Sequence, residues 1–207
     1  MSVPITVIAA GLYSKTAIPE RDYPWAGMVL AGYGTEPTQA IIEARGKFAT
    51  NVYDPNDFPF GHNPEVHIGP FLKEDKISLM MGSEGTCDPA LRELCWKQNT
   101  PFFLDEVINM GSVWQARSEE LKADVTIPVL YAMGTQEWLW KHTKAHVDDF
   151  TKGFINAPRI EGALITGAPH AIEWSRVGAG WWTRVFGWAA EVTAGLEIAK
   201  LGLKDYE

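Results

Sequence analysis

The sequence is poor in several features that would each point to a particular class of protein. It has two cysteines, Cys87 and Cys95, among 207 residues. Two reduced, partly buried thiols are therefore expected, with a single disulfide or a reactive thiol as the alternative. The 18 basic residues are outnumbered by 26 acidic ones, giving a net charge of −8. Since no basic stripe is visible, nucleic acid is not expected as a partner.

Long apolar runs and cofactor motifs are missing as well. Residues 1–12 are apolar, but they lack the basic stretch of a signal peptide and contain Pro4. No run is long enough to cross a bilayer, so we expect a cytoplasmic protein without a membrane partner. No Gly-x-Gly-x-x-Gly or Walker-type loop occurs. The sequence therefore indicates no cofactor.

What the chain does contain is an alternation of apolar strand patterns and helical patterns, in a composition that is 46% hydrophobic and 12% aromatic. Such an alternation is typical of an α/β fold with a parallel sheet and helices on its faces. The predicted strands cover residues 25–33, 127–134 and 159–165. The predicted helices outside the middle of the chain cover residues 3–13, 143–154 and 181–203.

Residues 35–122 differ from the rest, because they are broken by clusters of turn-forming residues. Between these clusters lie helical patterns over 38–49, 89–98 and 103–115, and no strand alternation stands out. We therefore predict a helical insertion rather than a sheet. The domain organisation that follows is a core made of residues 1–34 and 123–207, interrupted by the insertion at 35–122.

Two residues lie where the sites of parallel α/β sheets are found, at the carboxyl ends of strands. His170 follows the last predicted strand, after Gly167-Ala168-Pro169, and Glu137 follows the strand before it. A histidine that acts as general base needs an acid to orient it and a nucleophile to deprotonate. Alternatively, His170 is a loop histidine that caps the next helix, and Glu137 is a glutamate on the surface. Asp148 and Asp149 are rival acids, but they fall within a predicted helix.

These residues carry a family resemblance. The segment 125–191, with its PVLYAMG strand at 128–134 and its GAPHAIEWS loop at 167–175, resembles the α/β-hydrolase superfamily, in particular fungal α/β-hydrolase-fold proteins. The resemblance implies a partial α/β-hydrolase fold, consisting of the last three parallel strands with flanking helices and a mostly helical cap at 35–122. It also implies that Glu137 takes the acid position, where aspartate is commoner, and that His170 takes the histidine position.

One part of the family pattern is absent. The nucleophile of this superfamily sits in a Gly-x-Ser-x-Gly elbow, and the chain has no such motif. Residues 1–10 resemble the helix after the elbow, so that Met1 would follow the missing serine and Ser2 would stand at the last glycine. We therefore expect a truncated chain that is inactive alone. Three serines are candidates to replace the missing nucleophile, and none is expected to act as one. Ser2 lacks a strand before it, Ser83 lies in a turn of the predicted insertion, and Ser175 follows His170 too closely on the same helix.

The same register predicts a partner surface. The strand at 25–33 would lack a neighbour on one side, leaving an edge that pairs with the missing N-terminal half or with a second copy of the chain.

Other candidate side chains are weaker. Trp138 and Trp174 neighbour the proposed acid and histidine, and they are predicted to line an apolar pocket unless they simply pack in the core. His142 and His146 are one helical turn apart, with Asp149 beyond, which is a spacing that can bind zinc. His62, His67 and Glu65 form a similar weak group. We interpret His142, His146 and Asp149 as exposed helix residues, and we predict no metal site.

The function predicted from the sequence is hydrolysis of a small apolar ester or thioester by a serine mechanism, with the nucleophile outside these residues. The alternative is a non-catalytic, hydrolase-derived fragment that binds a small apolar ligand or a partner chain.

Overall fold

The computed structural model of the chain describes residues 2–15, 25–48, 67–68, 73–97, 102–103 and 114–202. Within these ranges the strands fall into two sheets, and the helices include one long C-terminal element. The strands are Met28–Ala31 (β1), His67–Ile68 (β2), Phe102–Phe103 (β3), Val129–Gln136 (β4) and Ile160–Pro169 (β5). The helices are Ser2–Lys15 (α1), Gln39–Phe48 (α2), Lys73–Met81 (α3), Pro89–Lys97 (α4), Trp114–Ala123 (α5), Lys144–Lys152 (α6) and Gly178–Lys200 (α7), with a 3₁₀ turn at Ile172–Trp174.

The main sheet has three parallel strands in the order β1–β4–β5. Met28 lies opposite Val129, which lies opposite Ile160 on the other side. The central strand is an uninterrupted apolar run because both of its faces are covered, and residues 129–133 are fully buried. The predicted α/β class, its three parallel strands and its flanking helices are therefore confirmed.

Helices cover both faces of this sheet. On one face, α1, α5 and α6 pack through Val7, Trp114 and Phe150 against the strands. On the other face, α7 packs through Trp181 and Trp188. No helix in the described part of the chain is both long and apolar enough to cross a bilayer.

The region 35–122, predicted to be a helical insertion, contains more than helices. The short strands β2 and β3 pair antiparallel, with His67 opposite Phe103. The expectation of an insertion without sheet was therefore wrong at this point, since two-residue strands are too short to produce a visible alternation. Phe103, predicted to begin a helix, lies in β3, and the next helix in the described ranges begins at Trp114. Helix α3 was not predicted at all.

A buried lysine joins two helices under the first face of the sheet. Lys122, near the end of α5, is fully buried, and its Nζ donates to the carbonyl oxygen of Phe150 at 3.0 Å. The same Nζ lies 2.5 Å from Glu119 and 4.7 Å from the ring centroid of Phe150. A positive charge beside the carbonyls of the last turn of α6 also complements the dipole of that helix. Lys122 therefore fixes α5 against the carboxyl end of α6.

Replacing this lysine should destabilise the fold. Lys122→Met keeps most of the side-chain volume but leaves the Phe150 carbonyl without its donor, so we expect a loss of about 1–3 kcal/mol in the free energy of unfolding. Urea denaturation followed by far-UV circular dichroism measures it. Lys152→Met, at an exposed position of α6, is the matched control and should change stability by less than about 0.5 kcal/mol. Equal effects of the two substitutions would contradict the assigned role of Lys122.

Candidate active site

The end of β4 is shaped by an irregularity in its pairing with β5. The register between the two strands shifts between Gly134 and Gln136. Strand β5 passes so close to Gly134 that only glycine fits there, because a Cβ would lie 2.1 Å from the carbonyl oxygen of Ala168. Just beyond, the hydroxyl of Thr135 accepts a hydrogen bond from the backbone N–H of Gly167 at 2.8 Å. These contacts fix how the chain leaves both strands.

Glu137 is the first residue after β4, and its carboxylate is fully buried. Oε1 accepts a hydrogen bond from the backbone N–H of Leu139 at 2.7 Å. Oε2 lies 2.8 Å from Nδ1 of His170, the first residue after β5. A buried carboxylate is costly unless its oxygens are hydrogen-bonded, and both oxygens of Glu137 are. Glu137 is therefore a structural partner of His170 and not a surface glutamate.

The imidazole of His170 is held on one side and open on the other. A carboxylate only accepts hydrogen bonds, so the network assigns the ring proton to Nδ1 and leaves Nε2 of the neutral ring as an acceptor. No described residue hydrogen-bonds Nε2, and the side chain is 21% exposed. This tautomer and this exposure are those that a general base requires.

The third strand of the sheet also reaches this position. Gly32 follows β1 with φ of +67°, a left-handed conformation that glycine adopts without strain. A Cβ on Gly32 would lie 2.6 Å from the carbonyl oxygen of His170 and 3.5 Å from its Cε1. The segment 170–176, called the histidine loop below, therefore lies directly on the carboxyl end of β1. The ends of β1, β4 and β5 meet at one place, as expected for a site in a parallel sheet.

The last turn of α3 and the turn that follows it hold the histidine loop from another side. In α3, the carbonyl of Met80 accepts a hydrogen bond from the N–H of Ala171 at 2.8 Å. Arg176 donates its backbone N–H to Thr86 and its Nε to Gly85, each at 2.9 Å. Arg92 in turn closes the end of α3 through its guanidinium, which donates to backbone carbonyls of that turn.

Sequence reasoning missed these two arginines. The partners of Arg92 and Arg176 are backbone carbonyls, and those of Arg176 are distant in sequence. No residue pattern along the chain signals such contacts.

The other candidate nucleophiles have structural positions. Ser83 is exposed in the α3–α4 turn, and the hydroxyl of Ser175 donates to Ile172 at the end of the 3₁₀ turn. Ser2 begins α1. No hydroxyl or thiol of the described side chains forms a hydrogen bond with His170.

The two tryptophans predicted to line a pocket have different surroundings. Trp138 is 45% exposed, whereas Trp174 is partly buried against a small apolar cluster made of Met81, Cys87 and Cys95. Their role in binding stays a prediction. The two cysteines are free and buried, and burial is the main cause that raises the pKa of both thiols. A raised thiol pKa is typical of an unreactive, structural cysteine.

The structure separates the two histidines of the suggested zinc pattern. His142 is exposed, while His146 is buried under Gly34, with both ring nitrogens lacking hydrogen-bond partners. Among the described side chains, no group of three metal-binding types comes together. His62 and Glu65 lie outside the described residues, as does the side chain of His67.

The chain is similar to known proteins in its fold, and no sequence-level match is found. No family model and no curated protein sequence matches the chain. Among solved structures, a soluble variant of monoglyceride lipase from Saccharomyces cerevisiae, in complex with a substrate analogue, has a similar fold with a TM-score of 0.59. The two chains are 13% identical, and the match covers 90% of this chain and 59% of the lipase chain. The fold is therefore a partial α/β-hydrolase fold, as the resemblance implied.

His146 should make stability depend on pH. Burial is the largest cause that lowers its pKa from 6.5, and Lys141 and Lys122 lower it further, while Glu36 and Asp149 act the other way. The unfolded chain, where the pKa of the ring is about 6.5, therefore binds this ring's proton more tightly than the folded protein does. The stability that depends on neutral His146 is present above about pH 6.5 and is lost as the pH falls below that value.

The substitution His146→Leu should remove this dependence. We expect the free energy of unfolding, measured by urea denaturation at several pH values from 7.5 to 5, to fall less steeply than in the wild type. The difference should approach about 1.4 kcal/mol per pH unit at most. His142→Gln, at the exposed histidine one turn earlier, should keep the wild-type slope. Parallel curves for His146→Leu and the wild type would show that His146 is not buried as the neutral form.

Proposed function

We propose that this chain carries the acid and the histidine of a serine-type hydrolase that acts on a small apolar ester or thioester. His170 is the general base, Glu137 orients it, and the nucleophilic serine lies outside these 207 residues. The observation that carries the proposal is the 2.8 Å hydrogen bond between the buried carboxylate of Glu137 and Nδ1 of the partly exposed His170.

The proton transfers follow from this geometry. Nε2 of His170 takes the proton of a serine hydroxyl as the serine oxygen attacks the carbonyl carbon of the substrate. The imidazolium then gives that proton to the departing alcohol or thiol. Throughout, Glu137 holds Nδ1–H and stabilises the positive ring without taking its proton. A second cycle with water in place of the serine hydroxyl releases the acid.

The proposed substrate class depends on the surroundings of the histidine. Trp138 and Trp174 flank Glu137 and His170 along the chain, and an apolar aromatic lining favours an acyl group over a sugar or a phosphate. The similar lipase fold, solved with a substrate analogue, supports the same class. The insertion would cover the site as a cap, because its α3–α4 turn is hydrogen-bonded to the histidine loop.

A second candidate function is supported by a separate observation. No described hydroxyl or thiol meets the open nitrogen of His170, and this favours a hydrolase-derived module that binds a small apolar ligand or a partner chain. In this alternative, the Glu137–His170 pair serves only to hold the histidine loop in place.

The test starts from the protein made in its native source. We expect an intact mass above that of the 207 residues, with a Gly-x-Ser sequence before Met1, and covalent labelling by a fluorophosphonate probe. In that longer form, His170→Ala and Glu137→Gln should each lower kcat for a 4-nitrophenyl ester by about 10³–10⁴-fold. Asp148→Asn is the matched control, since this rival acid is 48% exposed and is paired with Lys144 on α6, and it should leave kcat unchanged.

Two results would overturn the proposal. A native product that begins at Met1 and neither reacts with the probe nor hydrolyses the ester would give the lead to the binding function. Turnover that survives in both His170→Ala and Glu137→Gln would show that the pair is not the catalytic base and its orienting acid.

A further inference from the structure

The chain between β1 and α2 pairs antiparallel with the residues that follow β4. The two segments meet in a bridge between Pro37 and Trp140. Beside this bridge, the N–H of Thr38 donates to the carbonyl oxygen of Leu139 at 3.0 Å. The residues 137–141, called the acid loop below, are therefore held by the segment that leads into α2.

The hydroxyl of Thr38 makes two further contacts, one on each side of this junction. Its oxygen accepts a hydrogen bond at 3.3 Å from the N–H of Ile41, the third residue of α2, as the side chain of an N-cap residue does. The same oxygen lies 2.5 Å from the carbonyl oxygen of Trp138 in the acid loop. A carbonyl oxygen only accepts hydrogen bonds, so the hydroxyl proton of Thr38 is donated to Trp138.

The peptide unit between Trp138 and Leu139 carries this contact to Glu137. Its carbonyl oxygen accepts from the hydroxyl of Thr38, and its N–H donates to Oε1 of Glu137 at 2.7 Å. Because a peptide unit is planar, fixing the direction of its carbonyl also fixes the direction of its N–H. The hydroxyl of Thr38 therefore sets where the backbone donor for Glu137 points.

These hydrogen bonds form one directed series that ends at His170. The series starts at the N-terminus of α2, passes through the hydroxyl of Thr38 and the 138–139 peptide, and reaches Oε1 of Glu137. Oε2 of the same buried carboxylate lies 2.8 Å from Nδ1 of His170. Each donor before the carboxylate points toward its negative charge, and hydrogen bonds in such a series polarise one another. The series therefore stabilises the carboxylate in the orientation that meets Nδ1.

Two other contacts between the segments reach different parts of the acid loop. Lys141 and Glu36 form an ion pair, but their side chains are 56% and 49% exposed, and exposed pairs contribute little. The N–H of Thr38 holds the carbonyl of Leu139, which belongs to the next peptide unit. The hydroxyl of Thr38 is therefore the group through which this segment acts on the 138–139 peptide.

We propose that Thr38 is a positioning residue for the Glu137–His170 pair and acts through the 138–139 peptide. The inference rests on the proposed function, because positioning affects turnover only where the pair is catalytic. Without the hydroxyl, the peptide is less restrained and Oε1 of Glu137 loses its donor in a buried place, where an unpaired oxygen is costly. The carboxylate then moves away from Nδ1, and the imidazole keeps neither one tautomer nor one orientation.

The test compares Thr38→Val with Thr38→Ser in the 207-residue chain. Valine keeps the shape of threonine without its hydroxyl, whereas serine keeps the hydroxyl. NMR of the ring nitrogens of His170, in mildly alkaline solution, reports which of them carries the proton. We expect the Nδ1–H tautomer in the wild type and in Thr38→Ser, and a shift toward the Nε2–H tautomer in Thr38→Val. Amide hydrogen exchange at Leu139 should become about tenfold faster or more in Thr38→Val alone.

Thr143→Val is the matched control for the loss of a helix cap. Thr143 caps α6, and its hydroxyl accepts from the N–H of His146 at 3.1 Å. The substitution removes a threonine cap of the same kind, close in the chain to the acid loop. It should leave the ring tautomer of His170 and the exchange at Leu139 as they are in the wild type.

Activity gives a second readout in the longer form that carries the nucleophile. Thr38→Val should lower kcat for the 4-nitrophenyl ester by about tenfold with KM unchanged, because the orientation of the base matters in the transition state and not in substrate binding. Thr38→Ser and Thr143→Val should keep kcat within about twofold of the wild type. Far-UV circular dichroism checks that each variant is folded.

Several results would overturn the proposal. Fast exchange at Leu139 in the wild type would do so without any variant. An unchanged tautomer in Thr38→Val, or the same shift in Thr38→Ser or Thr143→Val, would mean that the hydroxyl does not position the pair.

The positioning and catalytic proposals fail separately, because the NMR readouts do not involve hydrolysis. The expected tautomer shift in a protein that hydrolyses no ester in any form would support the positioning role and contradict the catalytic one. Turnover that requires His170, together with an unchanged tautomer in Thr38→Val, would do the reverse.

Discussion

The parallel hydrogen bonding of β4 to strands on both sides is the constraint on which the rest of the structure depends. Because all three strands run the same way, their carboxyl ends come together, and the residues that follow them become neighbours. Tyr131, in the middle of β4, ties the edge strand to this centre by donating its hydroxyl to the carbonyl of Tyr33 at 2.8 Å. The candidate site is therefore formed by the residues that directly follow the carboxyl ends of the three strands.

The Glu137–His170 pair shows how burial and function are linked. A fully buried carboxylate would be unfavourable alone, and it is offset here by two hydrogen bonds, one of them to the imidazole. The histidine loop is then fixed from three directions: by Glu137, by Gly32 at the end of β1, and by α3 with the turn that follows it. A ring fixed in this way has one orientation and one open nitrogen, which is the preorganisation that acid–base catalysis needs.

Burial of apolar side chains is concentrated on the central strand of the sheet. Residues 129–133 of β4 are fully buried, whereas Val29 on β1 and Ile160 on β5 are each 36% exposed. The central strand is covered by helices on both of its faces and by a neighbouring strand on each side, which is why its sequence is apolar at successive positions.

The sequence by itself determined the local elements and their order. Apolar runs bounded by glycine predicted the three parallel strands, and the positions of Glu137 and His170 after two of them followed from the same pattern. Even so, β2, β3 and α3 escaped it, because short strands and a weakly amphipathic helix give no clear period. Only the tertiary structure decided that Glu137 is buried, that His146 faces inward while His142 does not, and that Arg176 ties the histidine loop to the turn after α3. Those facts depend on contacts between residues far apart in the chain, and local spacing carries no information about them.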